Sequence, residues 1–218
     1  MPSNLFYEEK RKQMVQTQLI SRDITDKEVL RAMEKVPRHK FIPVELWDRA
    51  YDDAPVPIGE EQTISQPYIV AYMIQALSPK REDKILEVGT GSGYQTAVLA
   101  EMLERIYTTE IRPQLASKAM MRLNESGYGD KVKIHITNGN MGYEEEAPFD
   151  GIIVTAATFD IPKSLVEQLA EKGKIIIPIG SAEHQVLIRA TKIKGRLQEE
   201  RLLSCIFVPL VRKECDEN

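Results

Sequence analysis

The sequence predicts an α/β fold: a doubly wound, mostly parallel sheet of seven strands, with a helical and irregular N-terminal extension and a C-terminal antiparallel hairpin. Three observations carry this. Beyond residue 80, strand-like and helix-like runs alternate, which implies parallel strands joined by crossover helices. The first of these strands runs straight into a turn with glycine at 89, 91 and 93, the pattern of a strand–turn–helix unit that opens a ligand site. The last two strand-like runs, QVLIRATK (185–192) and LLSCIFVPL (202–210), are joined only by a polar stretch around Gly195. That is too short for a crossover helix, so the two form a hairpin.

Taken in order, Met14, Val15, Gln18 and Leu19 suggest one face of an amphipathic helix. Thr25 followed by Glu28 is a capping-box pattern. Val29, Leu30, Met33 and Val36 continue at helical spacing until Pro37 stops the run. Prolines at 37, 43, 55, 57 and 67 then mark an irregular stretch whose Phe41, Ile42, Trp47, Tyr51, Val56 and Ile58 are too apolar for a disordered linker. It is expected to wrap the neighbouring domain as an ordered loop. The strand-like runs beyond it are 84–88, 105–110, 132–136, 151–156 and 174–179, and the helix-like runs are 94–103, 113–124 and 162–170. Pro113 and Pro162 suit first helical positions. The chain thus divides into a wrapping segment (1–80), a core domain (81–212) and a charged tail (213–218).

Composition narrows the function. With 218 residues, 42% hydrophobic and 28% charged, net charge −4, the chain reads as an ordinary globular protein without the basic footprint of a nucleic-acid binder. No secretory leader is legible in MPSNLFYEEKRK, and no apolar run approaches the roughly 18 residues that span a membrane. Cys205 and Cys215 form neither a disulfide framework nor a metal-ligand spacing, so no metal is expected. A cytoplasmic protein, monomeric by default, is the simplest reading.

The glycine turn admits three chemistries. A phosphate-binding P-loop would need a lysine after the turn, and none is present. A dinucleotide fingerprint would need glycine at 94, which is Tyr94. The pattern EVGTGSG (87–93) suits S-adenosylmethionine, whose amino-acid and ribose portions approach bare backbone with no pyrophosphate to cradle. A tight turn without ligand is the bland alternative. Glu110 ends the second strand, 19 residues after Gly91, where an acidic side chain can accept from ribose hydroxyls. Glu87 lies inside an apolar strand, where a charge needs a partner: a main-chain amide, a cofactor ammonium or a salt bridge. Asn138 and Gly139, at the exit of the third strand, suit a base edge and a close approach, or a plain turn.

With these residues in place, the chain resembles the protein-L-isoaspartate O-methyltransferase family over about residues 13–210. The most specific stretches are VPRHKFIP (36–43) and AYDDAPVPIGEEQTISQPYIVA (50–71); EVGTGSGYQTAVLA (87–100), APFDGIIVTAA (147–157), IIIPIG (175–180) and FVPL (207–210) come after them in order. The resemblance implies a class I S-adenosylmethionine methyltransferase (Rossmann-like) core and a lid from the wrapping segment. It implies that Gln62, Thr63, Ile64 and Ser65 cover the cofactor, with Ser65 also facing the methyl-accepting carboxylate. Glu87, Gly89 and Gly91 would hold the methionine end, Glu110 the ribose, Asn138 and Gly139 the adenine, and Val208 would line the peptide side. Three positions depart from the family pattern: Asn138 for aspartate, Glu61 for glycine and Asp23 for glycine. The last reads as a turn variation.

The chemistry so implied is methyl transfer from S-adenosylmethionine to the free α-carboxylate of L-isoaspartyl residues in damaged proteins and peptides, whose ester closes to a succinimide that hydrolyses partly to aspartate. A carboxylate is already ionised at neutral pH, so the scattered His39, His135 and His184 need no role. A serine-nucleophile reading lacks both an elbow motif and a base. The competing functions are a nicotinamide oxidoreductase, a small-molecule methyltransferase and a non-catalytic S-adenosylmethionine-binding homologue.

Overall fold

A computed structural model describes residues 3–211; Cys215 and the expected tail lie outside the described residues. The N-terminal segment opens with α1 (Asn4–Met14), which runs on as a π-helical turn over Val15–Ile20. Helix α2 (Lys27–Lys35) comes next. Its cap is Asp26, whose carboxylate accepts from the Glu28 and Val29 amides. The expected Thr25–Glu28 box does not form, because the Thr25 amide is taken by Gln75 Oε1 at 2.8 Å. Asp23 also does more than vary a turn. Its carboxylate accepts from the Tyr68 hydroxyl and its carbonyl from Gln75 Nε2, tying the turn to the helix carrying both residues.

The proline-rich stretch is ordered, as expected, and holds a two-stranded hairpin, β1 (Val56–Gly59) and β2 (Gln62–Ile64). Helix α3 (Pro67–Leu77) completes the segment. Its sequence, PYIVAYMIQAL, is apolar nearly all round and so carries no periodic stripe to read.

The main sheet contains β3 (Ile85–Val88), β4 (Ile106–Glu110), β5 (Val132–Ile136), β6 (Phe149–Val154), β7 (Leu169–Gly180), β8 (Gln185–Ile193) and β9 (Arg196–Cys205) in the order β5-β4-β3-β6-β7-β8-β9. The first five pair in parallel and the last two antiparallel. Helices α4 (Tyr94–Met102) and α5 (Pro113–Glu125) make the first crossovers. Helix α6 (Lys163–Gln168) is shorter than expected and starts after Pro162, because β7 begins at Leu169. The chain builds outward from β3 to β5, then returns to β6 on the other side of β3. This reversal leaves a crevice at the carboxyl ends of β3 and β6.

The final strand differs from its expected bounds. It starts at Arg196, directly after a turn in which Lys194 and Gly195 have φ of +51° and +72°, and it ends at Cys205. Its run of exposed polar residues from Gln198 to Arg201 suits an edge. Phe207 to Leu210 leave the sheet and cross to Ala157, which bridges Pro209 in parallel.

Buried residues of α1, α2, the hairpin and α3 share one apolar cluster with Tyr94 of α4 and with Ile85, Ile106 and Ile153 of the sheet. A second cluster fills the other face around Leu86, Val88, Ile152 and Ile175. Among the described residues no helix is long and apolar enough to cross a membrane.

The hairpin turn carries strain. Glu60 and Glu61 have φ of +51° and +57°, a left-handed conformation that costs an L-residue about 1–2 kcal/mol. Glu61→Gly is expected to stabilise the protein by up to about 1 kcal/mol, after the larger unfolded-state entropy of glycine is subtracted. A raised midpoint in urea would register it, and Glu61→Val should lower the same midpoint. If the Glu61→Gly variant unfolded at or below the wild-type midpoint, the turn would store no strain.

Candidate active site

The loop after β3 hangs from the end of β4. The Gly89 and Thr90 amides both donate to Thr109 C=O, at 2.9 and 3.0 Å. The Gly91 amide donates to Glu110 Oε2 at 2.8 Å, and Glu110 Oε1 accepts from the Arg112 amide at 3.0 Å. Each Glu110 oxygen keeps a lone pair for a ligand hydroxyl. Glycine is required at 89, where φ is +99° and a Cβ would stand 2.3 Å from Thr155 Oγ1. At Gly91 a Cβ would meet only Ile58 Cδ1, at 3.7 Å, although φ is +54°; protein packing therefore leaves space beside this residue.

Glu87 is fully buried. Its Oε2 accepts from the hydroxyls of Thr96 and Thr108, so neither a main-chain amide nor a salt bridge within the protein holds it. Its Oε1 has no partner, and neither has Gln95 Nε2. Burial pushes the Glu87 carboxyl up to about 7, and the Thr96 and Thr108 hydroxyls and the neighbouring Gln95 amide offset this only in part. Glu87 and Gln95 thus lie side by side in the lining of one cleft, an acidic and an amide group suited to the ammonium and carboxylate of a bound amino-acid group.

Gln62, Thr63, Ile64 and Ser65 line this cleft together with Glu87, Gly89, Gly91 and Glu110. Gly139 and Val208 complete it. Gly139 has its own packing reason, since a Cβ there would lie 2.8 Å from both Val88 Cγ1 and Leu210 Cδ1. Asn138 is the one sequence-predicted residue outside the lining. Its Oδ1 accepts from the Asn140 amide at 3.1 Å and caps the short helical turn Gly139–Met141.

The sequence does not point to Gln95, Arg112 or Thr155, all of which line the cleft. Arg112 Nε donates to Glu60 C=O at 3.2 Å, fastening the hairpin turn over the site. Thr155 Oγ1 donates to the Val88 and Gly89 carbonyls. No motif marks either residue; only their places two residues beyond Glu110 and directly after β6 could have suggested them.

A second cleft adjoins the first. Pro55, Gln66, Ile69, Cys205, Ile206 and Phe207 are among its lining. Thr63, Ser65, Thr155 and Val208 belong to both clefts.

Comparison with known proteins is consistent throughout. Residues 9–215 match the family model described as protein-L-isoaspartate(D-aspartate) O-methyltransferase. The protein-L-isoaspartate O-methyltransferase of Opitutus terrae is 51% identical over 205 residues, covering 94% of this chain and 88% of its own. That of Geobacter metallireducens is 52% identical, covering 93% and 94%. A Plasmodium falciparum crystal structure, of a candidate protein-L-isoaspartate O-methyltransferase in complex with S-adenosyl-L-homocysteine, superposes with a TM-score of 0.81 at 32% identity, covering 93% of this chain and 99% of that one.

A positively charged ligand group docking on Glu87 stabilises the ionised carboxylate and lowers its pKa from about 7. Below that pH binding must expel a proton; above it, none. Affinity for S-adenosylmethionine, measured relative to Glu87→Gln so that titration of the ligand cancels, should therefore rise toward neutrality by up to about tenfold per pH unit and then level off. A wild-type to variant ratio that stays flat between about pH 5.5 and 8 would remove Glu87 from the binding site.

Proposed function

Because the chain belongs to the protein-L-isoaspartate O-methyltransferase family, we propose that it methylates the free α-carboxylate of L-isoaspartyl residues in damaged proteins and peptides, with S-adenosylmethionine as donor. The observation that carries this reading is the wall shared by the two clefts, Thr63, Ser65, Thr155 and Val208. Two ligands lying on either side of one wall meet where a small group can pass between them.

S-adenosylmethionine, when bound, supplies a methyl group made electrophilic by the sulfonium. The protein's task is to bind, orient and exclude water. Glu87 and Gln95 offer polar side chains for the amino-acid end, and Glu110 offers acceptors for the ribose. Gly139 keeps the adenine end free of side-chain bulk, with Asn138 beside it as a cap. Gln62, Thr63 and Ile64 form the cover, held down through Arg112 and Glu60. Ser65 sits at the wall, where its hydroxyl can orient the acceptor oxygen, and Val208 borders the peptide. An acceptor carboxylate needs no general base. Among the described residues no histidine lines either cleft: His39 stacks on Tyr7 and bonds to the Tyr51 hydroxyl, and His135 stacks on Tyr143.

The wrapping segment, on this reading, is a lid rather than an independent domain, and the enzyme works on cytoplasmic proteins. Exposed Glu60 and Glu61 beside the site disfavour strongly acidic flanking sequence.

The deciding experiment offers a matched peptide pair, one with L-isoaspartate and one with L-aspartate. The two are isomers of equal charge, so electrostatic attraction cannot separate them, and discrimination must come from fit to the kinked backbone. Base-labile methyl label is expected on the isoaspartyl peptide alone. Equal labelling would indicate a general carboxyl methyltransferase, and labelling of neither, with cofactor still bound, a small-molecule acceptor or a non-catalytic binder.

A further inference from the structure

The strap bordering the second cleft is held by a side chain at the point where the sheet runs out. Pairing between β8 and β9 ends with Gln185 opposite Cys205, and the residue before it, His184, gives its carbonyl to the Ser181 amide in a turn. Beyond this point no strand remains to bond the main chain of Phe207. The Gln185 side chain takes over. Its Oε1 accepts from the Phe207 amide at 2.7 Å, and its Nε2 donates to the Phe207 carbonyl at 3.1 Å. A primary amide carries the same donor and acceptor as a peptide unit, so it stands in for the next residue of the ladder. Gln185 is only 3% exposed, and water does not compete freely for these bonds.

One residue later the strap is bonded from the other side. The Ala157 amide donates to Val208 C=O, and the Leu210 amide to Ala157 C=O, both at 2.8 Å. Val208, which lines both clefts, is thus fixed between a clamp at Phe207 and a bridge to Ala157, three residues beyond β6. Ile206, just before the clamp, is 69% exposed and gives the strap little packing of its own.

We propose that Gln185 is a positioning residue for the acceptor, a role that rests on the methyl-transfer reading above. It lines neither the cofactor cleft nor the acceptor cleft; it acts through Phe207, whose main chain it holds at the distance from β8 that gives the acceptor cleft its width. A residue that merely stabilised the fold would, on substitution, affect both ligands or neither. A residue that positions the strap acts on the peptide.

The test compares wild type with Gln185→Met, similar in length but without either hydrogen bond, and Gln185→Asn, which keeps the amide's donor and acceptor on a side chain one methylene shorter and adds no charge to a buried site. Steady-state kinetics with an isoaspartyl peptide are paired with calorimetric titration of S-adenosylmethionine. The expected result is a peptide KM raised roughly tenfold in Gln185→Met and less in Gln185→Asn, with cofactor affinity held within about twofold in both. An unchanged peptide KM in both variants overturns the proposal, as does an equal loss of affinity for the two ligands. If Gln185→Met fails to fold, Gln185→Asn decides by the same two readings. A wild-type enzyme that does not methylate the peptide at all would instead overturn the function proposed above, an outcome visible before any variant is measured.

Discussion

The carboxylate of Glu110, accepting from the main chain at both Gly91 and Arg112, is the junction on which the carboxyl edge of the sheet depends. Parallel neighbours β3 and β4 bring their ends together, but both strands run out into irregular backbone with donors to satisfy. Thr109 C=O and the Glu110 side chain supply the acceptors. The loop after β3 can therefore present bare backbone to the cleft without leaving buried amides unpaired. Arg112 then extends this support to the hairpin turn through Glu60. One acidic side chain at the end of a strand connects the floor of the site to its cover.

The architecture is legible in the sequence because its signals are local and redundant. Alternating strand and helix patterns mark the parallel sheet, the glycine turn marks the crevice, and the polar turn at Gly195 marks the hairpin. The elements that depart from expectation are those where long-range contact overrides local signal. The Thr25 amide bonds Gln75, fifty residues away, so the helix takes its cap from Asp26. Phe207 to Leu210 look like strand but are held by Gln185 and Ala157, so β9 begins earlier and ends earlier than its apolar residues suggest. Helix α3 carries no stripe because it is covered on most sides, with Val70, Ala71, Met73 and Ile74 almost without exposure.

The site is partly legible, and unevenly so. Gly89, Gly91 and Glu110 follow from spacing, while Gln62 to Ser65 and Val208 come from family likeness. Glu87 reads from sequence as a charge in need of a partner, and the structure leaves one of its oxygens unpaired. Thr155 and Arg112 escape a reading of the chain, because their importance lies in what they touch across the crevice. Glu61 is visible as an oddity; that it occupies a left-handed turn beside an equally left-handed Glu60 is not.

The wall common to the two clefts has a consequence for how this protein can change over evolutionary time. A substitution at Thr63, Ser65, Thr155 or Val208 alters the surroundings of donor and acceptor together, so neither can be adjusted there without disturbing the other. Pro55, Gln66, Ile69, Ile206 and Phe207 border only the outer cleft. Drift at these positions reshapes what is accepted while leaving the donor's seat intact. The fold thus separates a part of the molecule that must stay constant from a part free to diversify, and the range of damaged chains the enzyme serves can broaden or narrow without loss of the underlying reaction.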